Sequence, residues 1–128
     1  LLLLKNMPYL IALLLTTALT ISITQVSPNT AVTTIFVPIA ATLALALDVH
    51  PLPLMTAAAL GAGFAFMLPI GTPSQAVIFA TGKVSIRDML MQGTLVTILA
   101  TLLIVASVYF IFPLAFELNL FSFPEAWK

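Results

Sequence analysis

Residues 6–47 form a run of 42 positions without one charged side chain. At its centre the run is interrupted by TQVSPNT, where Gln25, Ser27, Asn29 and Thr30 crowd around Pro28. A hydrocarbon core of roughly 30 Å takes about 20 apolar residues per helical crossing. Polar side chains and a helix-breaking proline are costly at that depth unless they are buried in protein or line a cavity. A long apolar run with a polar centre therefore asks for two helical arms and a place where the polar turn is useful.

The rest of the composition agrees with a bilayer as solvent. Of 128 residues, 62% are hydrophobic and 6% charged, and mean hydropathy is +1.22. Soluble domains carry roughly 25% charged residues, so the sequence reads as an all-α integral membrane protein, multi-pass in a cell (plasma or inner) membrane. Net charge is zero, which gives nucleic acid no electrostatic hold. The absence of cysteine excludes disulfides, thiolate metal sites and thiol catalysis. The opening LLLLKNMPY has neither a basic n-region nor a cleavage site, and we expect the chain to be the C-terminal piece of something longer.

All eight charges fall in four clusters: Lys5; Asp48 (with His50); Lys83, Arg87 and Asp88; and Glu117, Glu125 and Lys128. They delimit charge-free blocks 6–47, 51–82 and 89–116. The third block is one ordinary span, 91–116, entered through an S-x-x-D capping box at Ser85 and Asp88, with Gly82 ending the helix before it. The first block divides into arms 9–24 and 31–47, about 24–26 Å each at 1.5 Å per residue. It is either two short spans joined by a polar loop or one re-entrant hairpin, 1–50, with its tip at 25–30. The shortness of both arms favours the hairpin. The second block, 51–82, starts well with Pro51 and Pro53 in a first turn and runs apolar to Leu68. PIGTPSQ (69–75) then breaks it, because two prolines and a glycine within five residues cannot continue an α-helix.

Lys83 and Arg87 form the strongest basic cluster and place 83–90 at the cytoplasmic interface, with Asp48, His50, Glu117 and the tail 117–128 outside. Thr16, Thr20 and Thr24 share a face of the first arm and are expected to bond back to carbonyls one turn earlier. Ala57, Gly61 and Ala65 read as a helix-packing ridge. Asp48 and His50 read as a solvated turn. Tyr109, Phe121 and Trp127 read as interfacial or packing aromatics. The blocks hold no Asp, Glu, His, Lys or Cys for acid–base or nucleophilic work, which argues against an enzyme.

Two interrupted hydrophobic segments are the best sequence pointer to a transporter's binding site. Freed carbonyls suit a cation, and half-helix N-termini suit an anion. The other reading of each interruption is a proline kink or a connecting loop in a non-transporting membrane subunit or scaffold.

The run TQVSPNTAVTTIFVPIA, followed by GFAFMLPIGTPSQAVIFATGKVSIRDMLMQG, resembles the divalent anion:sodium symporter family of di- and tricarboxylate carriers. The resemblance extends from about Leu10 to Phe116. It implies half of an inverted-repeat transporter: a re-entrant hairpin, one discontinuous helix and a C-terminal span. An N-terminal half would supply a second hairpin, and the full-length carrier would be a homodimer. The implied activity is symport of a dicarboxylate, a tricarboxylate or another small anion with sodium as coupling ion and no cofactor. A related carrier for sulfate or another oxyanion is the alternative. By position, Asn29, Thr30, Thr72 and Pro73 would meet substrate, and Thr24, Ser27, Asn29 and Gly71 would hold sodium. The signature serine is replaced by Pro28, and the glutamate common after the Thr24 position is Gln25.

Overall fold

The computed structural model describes residues 2–117, with side chains from residue 9 onward; Phe121, Glu125, Trp127 and Lys128 lie outside the described residues. Every regular element among the described residues is a helix. Helix α1 (Leu2–Thr24) and helix α2 (Asn29–Ala46) are joined by a tight tip at 25–28. The first arm thus begins well before residue 9 and has 23 residues, about 34 Å, so its length does not by itself argue for re-entry. Helix α2 spans 18 residues and tolerates Pro38 in its interior.

The turn at the far end of α2 is a Schellman motif. Asp48 takes a left-handed φ of 54°, Asp48 N–H donates to Leu45 O at 3.2 Å and Val49 N–H donates to Ala44 O at 3.0 Å. Asp48 is exposed, as expected of a solvated turn, but His50 is buried at 6% exposure. His50 is the N-cap of helix α3 (Pro51–Ala62), and its Nδ1 accepts the Leu52 N–H at 3.3 Å.

Helix α3 is the centre of the assembly. Its Leu54, Ala57, Ala58 and Ala62 are fully buried against α1 and α2. The small-residue ridge works as expected over Ala57 and Gly61, where a Cβ on Gly61 would already meet Ile21, Thr20 and the Thr17 carbonyl at 3.3–3.4 Å. Thr16, Thr17, Thr20 and Thr24 form the facing side of α1 and are all buried. Thr17 and Thr20 donate back to Leu13 O and Thr16 O, which satisfies their hydroxyls inside the helix. Thr24 does not; its hydroxyl reaches out of the helix.

After Ala62 the chain leaves helical geometry until helix α4 (Pro73–Ala80). The interruption therefore covers 63–72, opening six residues before the 69–75 that the apolar pattern predicts. Helix α4 has no buried residue and ends at Gly82, whose φ of +68° suits glycine alone without strain. Helix α5 (Ile86–Ala106) starts in a complete capping box: Asp88 N–H donates to Ser85 Oγ, and Ser85 N–H donates to Asp88 Oδ2.

The last span is not uniform. A π-helical turn (Ser107–Ile111) separates α5 from the short helix α6 (Phe112–Phe116). Pro113 has no N–H to give and its ring crowds the carbonyl four residues earlier, which a widened turn relieves. Tyr109 in that turn packs against buried Tyr9 of α1 at 6.2 Å between ring centroids. By length and composition, Asn29–Ala46 and Ile86–Phe116 are long and apolar enough to cross a membrane. Leu95, Ile98, Leu99, Leu102 and Leu103 lie exposed on α5, a surface suited to lipid or further protein rather than water.

Candidate functional site

The tip 25–28 meets the interruption 63–72: Gln25 of the tip ties the two together, and Thr24 at the end of α1 bonds to the end of α3. Thr24 Oγ1 lies 2.7 Å from the Ala62 carbonyl and 2.7 Å from Asn29 Oδ1. A hydroxyl has one proton and can donate to only one of these oxygens at a time. Three oxygens from α1, α2 and the end of α3 therefore converge at one buried point.

Gln25 makes the longer bridge. Its Nε2 donates to Ile21 O at 3.1 Å and to Phe64 O at 3.0 Å, while its Oε1 accepts the Met67 N–H at 2.9 Å. These bonds explain why the interruption opens early. The Phe64 carbonyl and Met67 amide are taken by Gln25 instead of by neighbours along a helix. Leu68, preceding Pro69, is in addition biased away from helical backbone.

Two glycines let the backbones close in. A Cβ on Gly71 would stand 2.9 Å from Ala65 Cβ and 3.1 Å from the Gln25 carbonyl, with the Thr24 carbonyl at 3.5 Å. A Cβ on Gly93 of α5 would stand 2.5 Å from the Phe66 carbonyl. The interruption is thus clasped between the tip on one side and α5 on the other.

Beside this contact lies an open cleft of about 590 Å³, lined by Pro28, Asn29, Thr30, Pro69, Ile70, Gly71, Thr72, Pro73 and Ala76. All four sequence-derived substrate positions, Asn29, Thr30, Thr72 and Pro73, come together here. Of the four sodium positions, Asn29 and Gly71 line the cleft, buried Thr24 sits behind Asn29, and Ser27 is half-buried at the tip outside the lining. None of the nine lining residues is ionisable, and among the described residues no group of His, Cys, Asp or Glu is arranged for a metal ion.

The cleft takes its polarity from the side chains of Asn29, Thr30 and Thr72 and from backbone at two helix starts. Helix α2 begins at Asn29 behind N-cap Pro28, and α4 begins at Pro73 behind N-cap Thr72; neither start has a side-chain cap bond. Thr72 Oγ1 is instead 3.1 Å from Ser74 Oγ. At α4, Pro73 has no N–H and Gln75 N–H donates to Thr72 O at 3.1 Å, so the Ser74 amide is what its first turn can offer; at both starts the aligned peptide dipoles make the helix end partially positive. Two such starts open on one cleft, an arrangement suited to an anion with more than one acceptor group.

Sequence reasoning located the cleft residues and missed the side chain that joins its walls. Gln25 stood out only as a neutral residue where a charge was expected. Its partners lie 39 and 42 positions away, beyond the reach of local pattern. Gly93 was passed over as an ordinary residue of an apolar span.

Residues 3–116 match the family described as the sodium:sulfate symporter transmembrane region. The chain is 43% identical over 111 residues to a sodium-dependent dicarboxylate transporter, SdcS, of Staphylococcus saprophyticus, covering 87% of this chain and 21% of that protein. The SdcS of Staphylococcus aureus strain MRSA252 is 44% identical over 97 residues, covering 76% of this chain and 19% of the relative. The chain thus spans about a fifth of the length of the curated relatives it matches. With nearly its whole described length matched, the chain belongs to the sodium:sulfate symporter family.

Proposed function

We propose that this chain forms part of a multi-pass membrane carrier that moves a di- or tricarboxylate together with sodium. The observation that carries the reading is the convergence of two uncapped helix starts, α2 and α4, on one cleft without ionisable side chains. Each helix start favours a nearby anion by about 0.3–1 kcal/mol, more when partly buried. That suits a site that must release its cargo as well as bind it. Carboxylates would take first-turn amides of α2 and the Ser74 amide of α4, with the Thr30 and Thr72 hydroxyls as neutral donors.

Asn29 serves both cargoes in this reading. Its Oδ1 faces Thr24 and the Ala62 carbonyl, where a hard cation finds oxygen ligands. Its Nδ2 is left for the cleft and the anion. Sodium bound on one side of the amide and carboxylate on the other would stabilise each other. Ser27 and the Gly71 backbone complete the proposed sodium shell. The names of the relatives, sodium-dependent dicarboxylate transporters, support the same pair of cargoes.

The meeting of the tip with the interruption between α3 and α4 supports a re-entrant hairpin, because the tip ends against the middle of a broken span rather than beyond it. The hairpin and broken helix would then move as a unit in alternating access, against a scaffold supplied by the rest of a homodimeric carrier. Cysteines placed at positions 5 and 48 should react with an impermeant reagent from the same side of the membrane; labelling from opposite sides rejects the hairpin.

Coupling is tested in proteoliposomes holding the full-length protein, with sodium and proton gradients imposed separately. Succinate uptake should follow the sodium gradient, and Asn29→Ala should raise the sodium concentration for half-maximal uptake. Full uptake from a proton gradient in sodium-free buffer rejects sodium coupling. Uptake of sulfate in place of succinate reassigns the substrate.

A further inference from the structure

We infer that Gln25 is a positioning residue whose carboxamide latches the tip of the hairpin to the interrupted segment, so that both walls of the cleft are held as one unit. The inference rests on the transport reading for its effect on cargo, but its geometric part stands apart from it. One wall of the cleft is the start of α2; the other is the segment 69–73 leading into α4. Among the described residues, α4 has nothing buried to hold it in place. Its position depends on how the segment before it is tied down.

Gln25 ties that segment at two points. It donates to the Phe64 carbonyl and accepts from the Met67 amide, while its second Nε2 hydrogen anchors it to Ile21 O in the preceding helix α1. The side chain is 5% exposed, so these groups have no ready exchange with water. Every capacity used is specific to an amide: two donors toward carbonyls and one acceptor toward an N–H. A carboxylate lacks the donors, an ammonium lacks the acceptor, and a hydroxyl has one donor where two are used. Directly beyond this bridge the Gly71 backbone presses on the Thr24 and Gln25 carbonyls. The latch therefore sets the distance between the atoms proposed to hold sodium, without Gln25 touching either cargo.

Gln25→Met keeps the length and volume of the side chain but supplies no amide donor and only a weak acceptor, so it separates the latch from simple filling of space. None of the bonds to Gln25 involves an ionisable side chain.

The test uses the full-length protein with two variants and two readouts. In Gln25→Ala, amide hydrogen exchange of the peptide containing Met67 should speed by about tenfold or more, because the bonds closing that segment are gone. Half-saturating sodium and succinate should both rise severalfold. Gln25→Met should reproduce both changes, because it fills the same space without the three bonds. Unchanged exchange at Met67 overturns the latch. So does a wild-type half-saturating sodium concentration in Gln25→Met. If wild type takes up no succinate with sodium, the transport reading fails, and hydrogen exchange still decides the latch.

Discussion

Four of the helices begin in two different ways, and the difference follows position. Helices α3 and α5 start at turns between the apolar blocks, and each start is closed by a side chain: His50 on Leu52 N–H, and Ser85 with Asp88 in a reciprocal box. Helices α2 and α4 start inside the apolar blocks, and both are left open. Closing a start with Ser, Thr, Asp or Asn stabilises a helix by about 0.5–2 kcal/mol. That stabilisation is forgone twice, on the two helices that face the same cleft. If the proposed site is right, the two kinds of start separate ends built for stability from ends kept for binding.

The largest effect should come from removing a hydroxyl at an open start. Thr72→Val keeps the β-branched shape that suits the extended N-cap backbone (φ −142°, ψ 152°) but takes the donor from the cleft. Leaving an anion oxygen unsatisfied costs about 1–3 kcal/mol, so succinate uptake at low substrate should fall about tenfold or more. Ser85→Ala, at a closed start, should instead lower thermal stability by about 1 kcal/mol and leave the KM for succinate unchanged. If Ser85→Ala moves KM as far as Thr72→Val does, the two kinds of start are not functionally distinct.

A smaller effect is expected at Pro28, the N-cap of α2, which lines the cleft with no hydrogen-bonding side chain. Pro28→Ser adds a hydroxyl that can either turn back to close the start of α2 or face the cleft. We expect it to face the cleft and lower the KM for succinate by about two- to fivefold, the worth of one net hydrogen bond of about 0.5–1 kcal/mol. A rise in melting temperature with no change in KM would mean that the hydroxyl closes the helix instead, and that this start can be capped without loss.

Much of this division was legible in the sequence because it rests on local chemistry. The capping box at Ser85 and Asp88, the stop at Gly82 and the small-residue face at Ala57 and Gly61 are all read from short spacings. So are the two polar interruptions, and the cleft gathers Asn29, Thr30, Thr72 and Pro73 from both. What stayed hidden is non-local. Phe64, Ala65 and Phe66 look helical, and the bonds from Gln25, 39 and 42 positions away, help hold that stretch out of helix. The burial of His50 likewise depends on the packing of α1, α2 and the last span around it, where Tyr9, Ala44, Val49, Val105 and Val108 share one core cluster. A solvated turn and a buried cap look alike in the string DVHPLP.

His50 yields the smallest expected effect and a direct check on what a closed start is for. Its Nδ1 must be bare to accept the Leu52 N–H, and burial holds the imidazole below its usual pKa. Folding therefore favours the neutral ring. The stability this contributes is complete above the unfolded value of about 6.5 and is lost as pH falls through the lower folded value. His50→Asn keeps an oxygen acceptor at the cap but does not titrate. Melting of purified wild type and His50→Asn should be compared at pH 8 and pH 5 in the same detergent, so that carboxylates common to both cancel. Wild type should lose more stability on acidification, by about 1 kcal/mol at most, the scale of one N-cap. Parallel losses would show that the ring is not a titrating cap. Uptake kinetics at pH 8 should be the same for both proteins, because this start lies at the opposite end of α3 from the cleft and its amides are already taken.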